Sequence, residues 1–278
     1  MIQSFIQTLK TIATKPGIVL PATVLNIALI GISAWTAEKF AEVFINSWIA
    51  LNSAQVSLFE LPFRIFQINP AQTAELAVGL LTITYLTFLM FYICARFIRE
   101  QSTGKNASIL TAVKYSLAKL KELFYLLLFF VFAGILIATA YQVILILTLG
   151  IQILGIIAAG ILFLLFLYLF VKFLVLIPIL SDGKITLKNG LKKSWEFTGR
   201  HFLSCLAVLA GISIYSFIFE RAMTYTAIAT NNEILLASIS IILYGILSTF
   251  TFCYVSEFYF QKHKQEKQTT TSTDEFTD

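Results

Sequence analysis

The sequence predicts an all-α polytopic membrane protein: a helix bundle of six transmembrane helices, built as three repeats of interfacial amphipathic helix plus transmembrane hairpin. Three observations carry this. Of 278 residues, 58% are hydrophobic and only 13% charged, with a mean hydropathy of +0.84; soluble domains carry about a quarter charged residues. Six apolar stretches approach or exceed the ~20 residues that a bilayer-crossing helix needs. A basic amphipathic segment stands before the first, third and fifth of them, and never before the others.

In chain order, MIQSFIQTLKTIATKP aligns Ile2, Phe5, Ile6, Leu9 and Ala13 on one helical face. Span one follows at about 17–35. A secretory signal ending at Ala34 fits less well, since this apolar run exceeds the usual 7–15 residues. The outer segment 36–75 reads as an amphipathic helix (Phe40, Phe44, Trp48, Leu51) and then an irregular apolar stretch, LFELPFRIFQI. Such a segment lies on an interface. In NPAQTAE, Asn69 caps and Pro70 opens span two, about 76–97.

The block Phe124–Leu180 has 57 residues and one charge, Lys172. It is too long for one span and suits two, about 124–147 and 152–178, with a tight turn near Gly150. Spans five and six fall at about 202–219 and 234–256. Residues 1–260 form one integral membrane domain, and 261–278 a disordered polar cytoplasmic tail.

Charge orients the spans. With both termini cytoplasmic, the inner segments hold 16 of the 20 basic residues, and the outer ones only Lys39, Arg64 and Arg221. That asymmetry follows the positive-inside rule and places the chain in the cell membrane as a multi-pass protein. The net charge of +5 therefore reports topology, not nucleic-acid binding, which needs a basic patch on a soluble fold. Cys94, Cys205 and Cys253 lie far apart in apolar runs without metal-ligand spacing, and read as small buried hydrophobes.

The segment GLKKSWEFTGRHF shows the repeated unit best. Leu187, Leu191 and Trp195 recur every fourth residue, with Lys188, Lys192 and Lys193 largely to the other side. Leu187, Leu191 and Trp195 are expected to face lipid at the headgroup boundary, with Lys192 and Lys193 on anionic lipid. Upstream, SILTAVKYSLAKLKELF puts Ile109, Val113, Ser116, Leu117 and Leu120 on one face. The two segments align at an offset of 78, with Val113 on Leu191, Lys114 on Lys192, Ser116 on Ser194, Leu117 on Trp195 and Phe124 on Phe202.

With its Ser-Trp pair (Ser194, Trp195, then TGRHF) in a cytoplasmic helix before the fifth span, the chain resembles a group of six-span prokaryotic membrane proteins. That group includes the membrane domain of some glycerophosphodiester phosphodiesterases. The resemblance implies a fold and a membrane location. The phosphodiesterase activity of those fusions belongs to a separate soluble domain, so no catalytic residue carries over.

The chain lacks HExxH, GxSxG, Walker and GxGxxG signatures. His201 and His263 read as surface residues, SDGK around Asp182 as a turn, and Asn106 as a cytoplasmic sequon without consequence. Asn26, Gln142 and Gln152 are amides able to bond between helices, while Thr82, Thr84 and Thr87 can satisfy themselves on their own backbone. No cofactor or metal is expected. Lys172 stands out, some 12 Å from the inner end of span four at ~1.5 Å per residue. Glu257, at comparable depth in span six, is its expected partner within salt-bridge or water-bridged reach. The function expected is non-enzymatic: a scaffold, assembly or lipid-organising protein. The partners expected are anionic membrane lipids and, beside them, other membrane proteins or a second copy. A small-solute or lipid transporter is the alternative, and an intramembrane lipid enzyme comes third.

Overall fold

The computed structural model describes residues 2–54, 70–104, 107–147, 152–182, 185–229 and 233–274. They are helical almost throughout, and no strand occurs among them. The helices are α1 (Ile2–Thr14), α2 (Val19–Ala54), α3 (Pro70–Ser102), α4 (Ile109–Ala118), α5 (Leu120–Leu147), α6 (Gln152–Phe173), α7 (Leu176–Leu180), α8 (Leu187–Arg200), α9 (Phe202–Ala229) and α10 (Glu233–Asp274). Six stretches are long and apolar enough to cross a membrane: Pro16–Val43, Pro70–Ser102, Leu120–Ile137, Gly160–Leu180, Phe202–Thr226 and Ser238–Glu266. The chain is thus a multi-pass helical membrane protein by length and composition.

Three boundaries differ from expectation. Span one does not hand over to a separate amphipathic helix, because α2 continues unbroken for 36 residues. Between Ser33 and Ala54 there is no glycine or proline to stop it. Lys39 in this continuation is paired: it meets Glu42 at 2.9 Å and Glu75 of α3 at 3.7 Å. At the other end of the chain, α10 runs through the expected tail to Asp274. QKHKQEKQ consists largely of good helix formers, and Ser4 and His201 bond to this extension. Span four is interrupted within its predicted limits, at Leu174–Val175. Pro70 opens α3 as predicted. The irregular stretch, Asn69 and the Gly150 turn lie outside the described residues, as do the side chains of Phe44, Trp48 and Leu51.

The chain divides into two compact units. One comprises Ala28–Thr87 and Leu123–Leu169. In it, α2 and α3 meet where Gly79 lies against Trp35 and Thr36, a contact that leaves no space for a Cβ. Tyr85 then contacts Phe124 edge-on.

The other unit comprises Met1–Ile27, Phe88–Glu122 and Phe170–Asp278, and so contains all three amphipathic helices. Its core joins Val171, Val175 and Ile179 to Phe250, Tyr254 and Phe258 of α10. A second cluster sets Cys94 and Phe97 of α3 with Ile18, Ala112 and Cys253. Two amphipathic helices reach their spans through one residue each, Lys119 after α4 and His201 after α8. After α1, Lys15 and a 3-10 turn at Pro16–Ile18 do the same.

The residues these helices bury fully are mostly small. α1 buries Ser4, Thr8 and Thr11. α4 buries Ala112 and Ser116. α8 buries Gly190, Ser194, Phe197 and Thr198. Small side chains let helix backbones approach closely, which is how helices associate in lipid. The bulky stripe stays outside: Ile2 is 71% and Leu110 79% exposed, and Leu187 and Leu191 are only half-buried.

Candidate functional site at Lys172

The site begins with Pro178. Proline has no N–H to offer the carbonyl four residues back, and its ring crowds that carbonyl. Residue 174 is that position, and α6 ends at Phe173, immediately before it. Leu174 N bonds Val171 O at 3.2 Å, a tightened turn, and α7 restarts at Leu176.

α8 closes over this break. Gly190 sits so close to Leu180 that a Cβ would come within 2.8 Å of Leu180 Cδ2. One turn on, Ser194 Oγ donates to the Lys172 carbonyl at 2.7 Å. Thr198 Oγ1 donates to Ser194 O at 2.7 Å and lies 3.4 Å from the same Lys172 carbonyl. The hydroxyls of α8 thus cap a carbonyl beside the helix break.

The Lys172 side chain rises to the same helix. It is only 5% exposed. Its Nζ stands 4.7 Å from the centroid of the Trp195 ring and 3.4 Å from the Trp195 carbonyl. A lysine deep in a span costs about 2.5–3.5 kcal/mol. A desolvated cation–π contact returns about 2 kcal/mol, and a hydrogen bond from a charged donor about 1.5–3 kcal/mol. The two together offset the burial. Trp195 remains 44% exposed, a lid with one face on the ammonium.

Glu257 is also buried. Its Oε2 takes the Gln261 amide at 3.5 Å, and Gln261 Oε1 accepts from Ser4 Oγ of α1 at 2.8 Å. The helices that carry the two residues do share a core, through Val171, Val175 and Tyr254. On α8 the long lysine stem finds an indole and a carbonyl.

The lipid-facing residues expected on α8 separate. Lys192 and Lys193 are exposed, and Lys192 comes within 3.9 Å of Glu196. Trp195 has a second task beneath it.

Other polar groups build joints that charge counting concealed. Arg96 and Arg99 of α3 both donate to the Ser181 carbonyl at the end of α7, at 3.1 and 3.2 Å. Arg99 Nε also reaches Asp182 at 2.7 Å, and Arg96 Nε reaches Glu100 at 3.1 Å. The Arg96 guanidinium lies over Tyr115 of α4 at 4.0 Å. The spacing Arg96-x-x-x-Glu100, one helical turn apart at the end of a span, was the available signal. His201 and His263 do not stand apart on the surface. Both approach Glu266, at 2.9 and 4.0 Å.

Cys94 and Cys253 are not isolated either, since both belong to one buried cluster between α3 and α10. Thr82, Thr84 and Thr87 donate to their own helix, as expected. Asn26 Nδ2, buried, finds no acceptor among the described residues, and the Gln142 and Gln152 side chains lie outside them. Among the described residues no group of three His, Cys, Asp or Glu is placed to hold a metal. The arrangement can hold a broken helix closed and keep a cation within the membrane. No family model, no curated protein and no solved structure matches the chain.

Proposed function

We propose that this chain is a non-enzymatic integral membrane protein that works as a scaffold or lipid-organising bundle in the cell membrane, with both termini cytoplasmic. One observation carries the reading: the polar groups join helices. Ser4, Arg96, Arg99, Lys172 and Ser194 each bond to a different helix or to a helix end of the same chain. A catalytic constellation instead leaves its groups converging on a space for substrate. The expected partners are anionic lipids of the cytoplasmic leaflet, with other membrane proteins or a second copy beside them. The resemblance to the six-span prokaryotic group supports the same fold and location.

The buried positions support a unit used three times. Ser4, Thr8, Thr11 and the joint residue Lys15 stand 186 positions before Gly190, Ser194, Phe197 and His201. Ala112 and Ser116 stand 78 positions before Gly190 and Ser194, but their joint, Lys119, comes one turn early. The second copy is the same unit shortened by a turn. Inverted or parallel repeats of this kind build pseudo-symmetric bundles.

A second reading, a transporter component, is favoured by the interruption of span four, since carriers build their sites from discontinuous helices. Two experiments decide. Reporter fusions after Ser102 and Gly190 should read cytoplasmic and one near Ser53 external; an external signal at Gly190 overturns the topology. Liposomes containing the purified chain should show no more ion or small-solute flux than empty ones. Flux that disappears in Lys172→Met replaces the scaffold reading with transport.

A further inference from the structure

We infer that α1, α4 and α8 form a collar in the headgroup layer of a single leaflet, making the protein a one-sided wedge that gathers anionic lipid and favours membrane convex toward that leaflet. This rests on the membrane-scaffold reading and gives it a partner and a mechanical effect.

The three helices belong to one compact unit, which also holds one end of the spans they serve. α1 is fastened to α10 by Ser4 and Gln261 at 2.8 Å and by Phe5, edge-on to Phe250 and Tyr254. α4 is held by Tyr115 beneath Arg96, and α8 by Ser194 and Gly190 over the broken helix. In each case attachment leaves part of the apolar face uncovered. What remains outside is apolar and bulky: Ile2, Ile6 and Leu9 on α1, Leu110 and Leu117 on α4, and the outer face of Trp195 on α8.

A surface of that kind needs a cover. Its cover is indicated by continuity. Each helix turns into a span within one to four residues, and those spans begin with exposed Leu20, Phe124 and Leu203. The apolar strip therefore runs without interruption onto surface that faces acyl chains. Exposed lysines flank it: Lys10, Lys114, Lys188, Lys192 and Lys193. Near an anionic surface each favours association by roughly fivefold. A segment with this division of residues lies in the plane of the interface.

The wedge follows from geometry. Spans cross both leaflets, so they add comparable area to each. The collar adds area to one only. Its helices have 13, 10 and 14 residues; at ~1.5 Å per residue and ~10 Å across they occupy on the order of 500 Å² of that leaflet.

The test uses the full chain in giant vesicles that contain anionic lipid. A dye on the C-terminal tail, quenched or not from outside, sorts molecules by orientation. On a tube pulled outward, molecules with termini outside should be denser than on the flat membrane, and those with termini inside sparser. The variant carrying Ile2→Ser, Ile6→Ser and Leu9→Ser should lose this sorting while unfolding as the parent does, because those side chains stand clear of the core. Equal density in both orientations overturns the wedge. Spin labels at Ile6, Leu110 and Leu117 should be relaxed by oxygen and shielded from an aqueous nickel chelate. Access to the chelate overturns the collar, and dipolar broadening between labels on separate copies would make this face an interface between copies instead. Solute flux with sorting intact would discard the scaffold reading and leave the collar standing.

Discussion

Removing the Trp195 ring should expose how Lys172 is kept in the membrane. Trp195→Ala removes the cation–π contact at 4.7 Å, worth about 2 kcal/mol where water is excluded. It also removes packing, but only part, because Trp195 is 44% exposed. Full burial of a Trp would cost about 3–5 kcal/mol on truncation, so roughly half of that applies here. The single variant should therefore lose about 3–4 kcal/mol. In a Lys172→Met background there is no cation to cover, and the same change should cost about 2 kcal/mol. The coupling expected is about 1–2 kcal/mol, well above the ~0.5 kcal/mol at which distant sites cease to look additive. Trp195→Phe, which keeps a weaker ring, should fall between. Reversible unfolding by titration of a denaturing detergent into mixed micelles measures all four corners of the cycle. Additive losses would mean that the ring is packing surface only, and the account of Lys172 would fail.

The remaining predictions test neighbouring joints. Ser194→Ala should cost about 1 kcal/mol, a typical hydrogen bond, and Ser116→Ala less, since the Ser116 hydroxyl bonds within its own helix, to Val113 O at 2.7 Å; equal losses would remove the case for a capped helix break. Gly190→Ala must push on Leu180 at 2.8 Å and should destabilise by about 1–3 kcal/mol. Gly134→Ala, which meets nothing within 4 Å, should be neutral or stabilise by up to about 1 kcal/mol; the reverse order in thermal unfolding would refute the packing of α8. Oxidation with a membrane-permeant copper complex should link Cys94 to Cys253, read by mass spectrometry of the joined peptides, with Cys205 unlinked. A Cys205-containing bridge would contradict the contact between α3 and α10.

The spans were legible because hydropathy reads bulk, and long runs such as Phe124–Leu180 carry little else. The amphipathic helices were legible by period. Which side packs was not, because Ser4, Thr8, Ala112, Gly190 and Ser194 give no hydrophobic signal. Close approach in lipid selects small residues, and a scale that rewards apolar area points to the opposite face. The contacts of Lys172 on α8 were not legible for a related reason: neither an indole nor a backbone carbonyl is marked in sequence as the partner of a particular cation. Pro178 was visible as the end of a span, but its effect lies four residues earlier, where a break lets α8 approach. The length of α2 was missed because the segment after residue 35 read as a separate amphipathic helix. Only the structure shows Lys39 paired with both Glu42 and Glu75.

The contact between Ser4 and Gln261 spans 257 residues, so α1 is seated by a helix made long after it. At ~5–20 residues per second, the N-terminal helix waits roughly 13–50 seconds with Ser4 and Thr8 uncovered. Throughout that interval it can rest on the membrane by its apolar side, as an early tether. Its polar side stays open until residue 261 has been made. A chain stopped short of residue 261 keeps that side open indefinitely. Arrival of residue 261 is therefore read out at one distant hydroxyl, and a protease that surveys membrane proteins would find chains stopped short of it marked at α1.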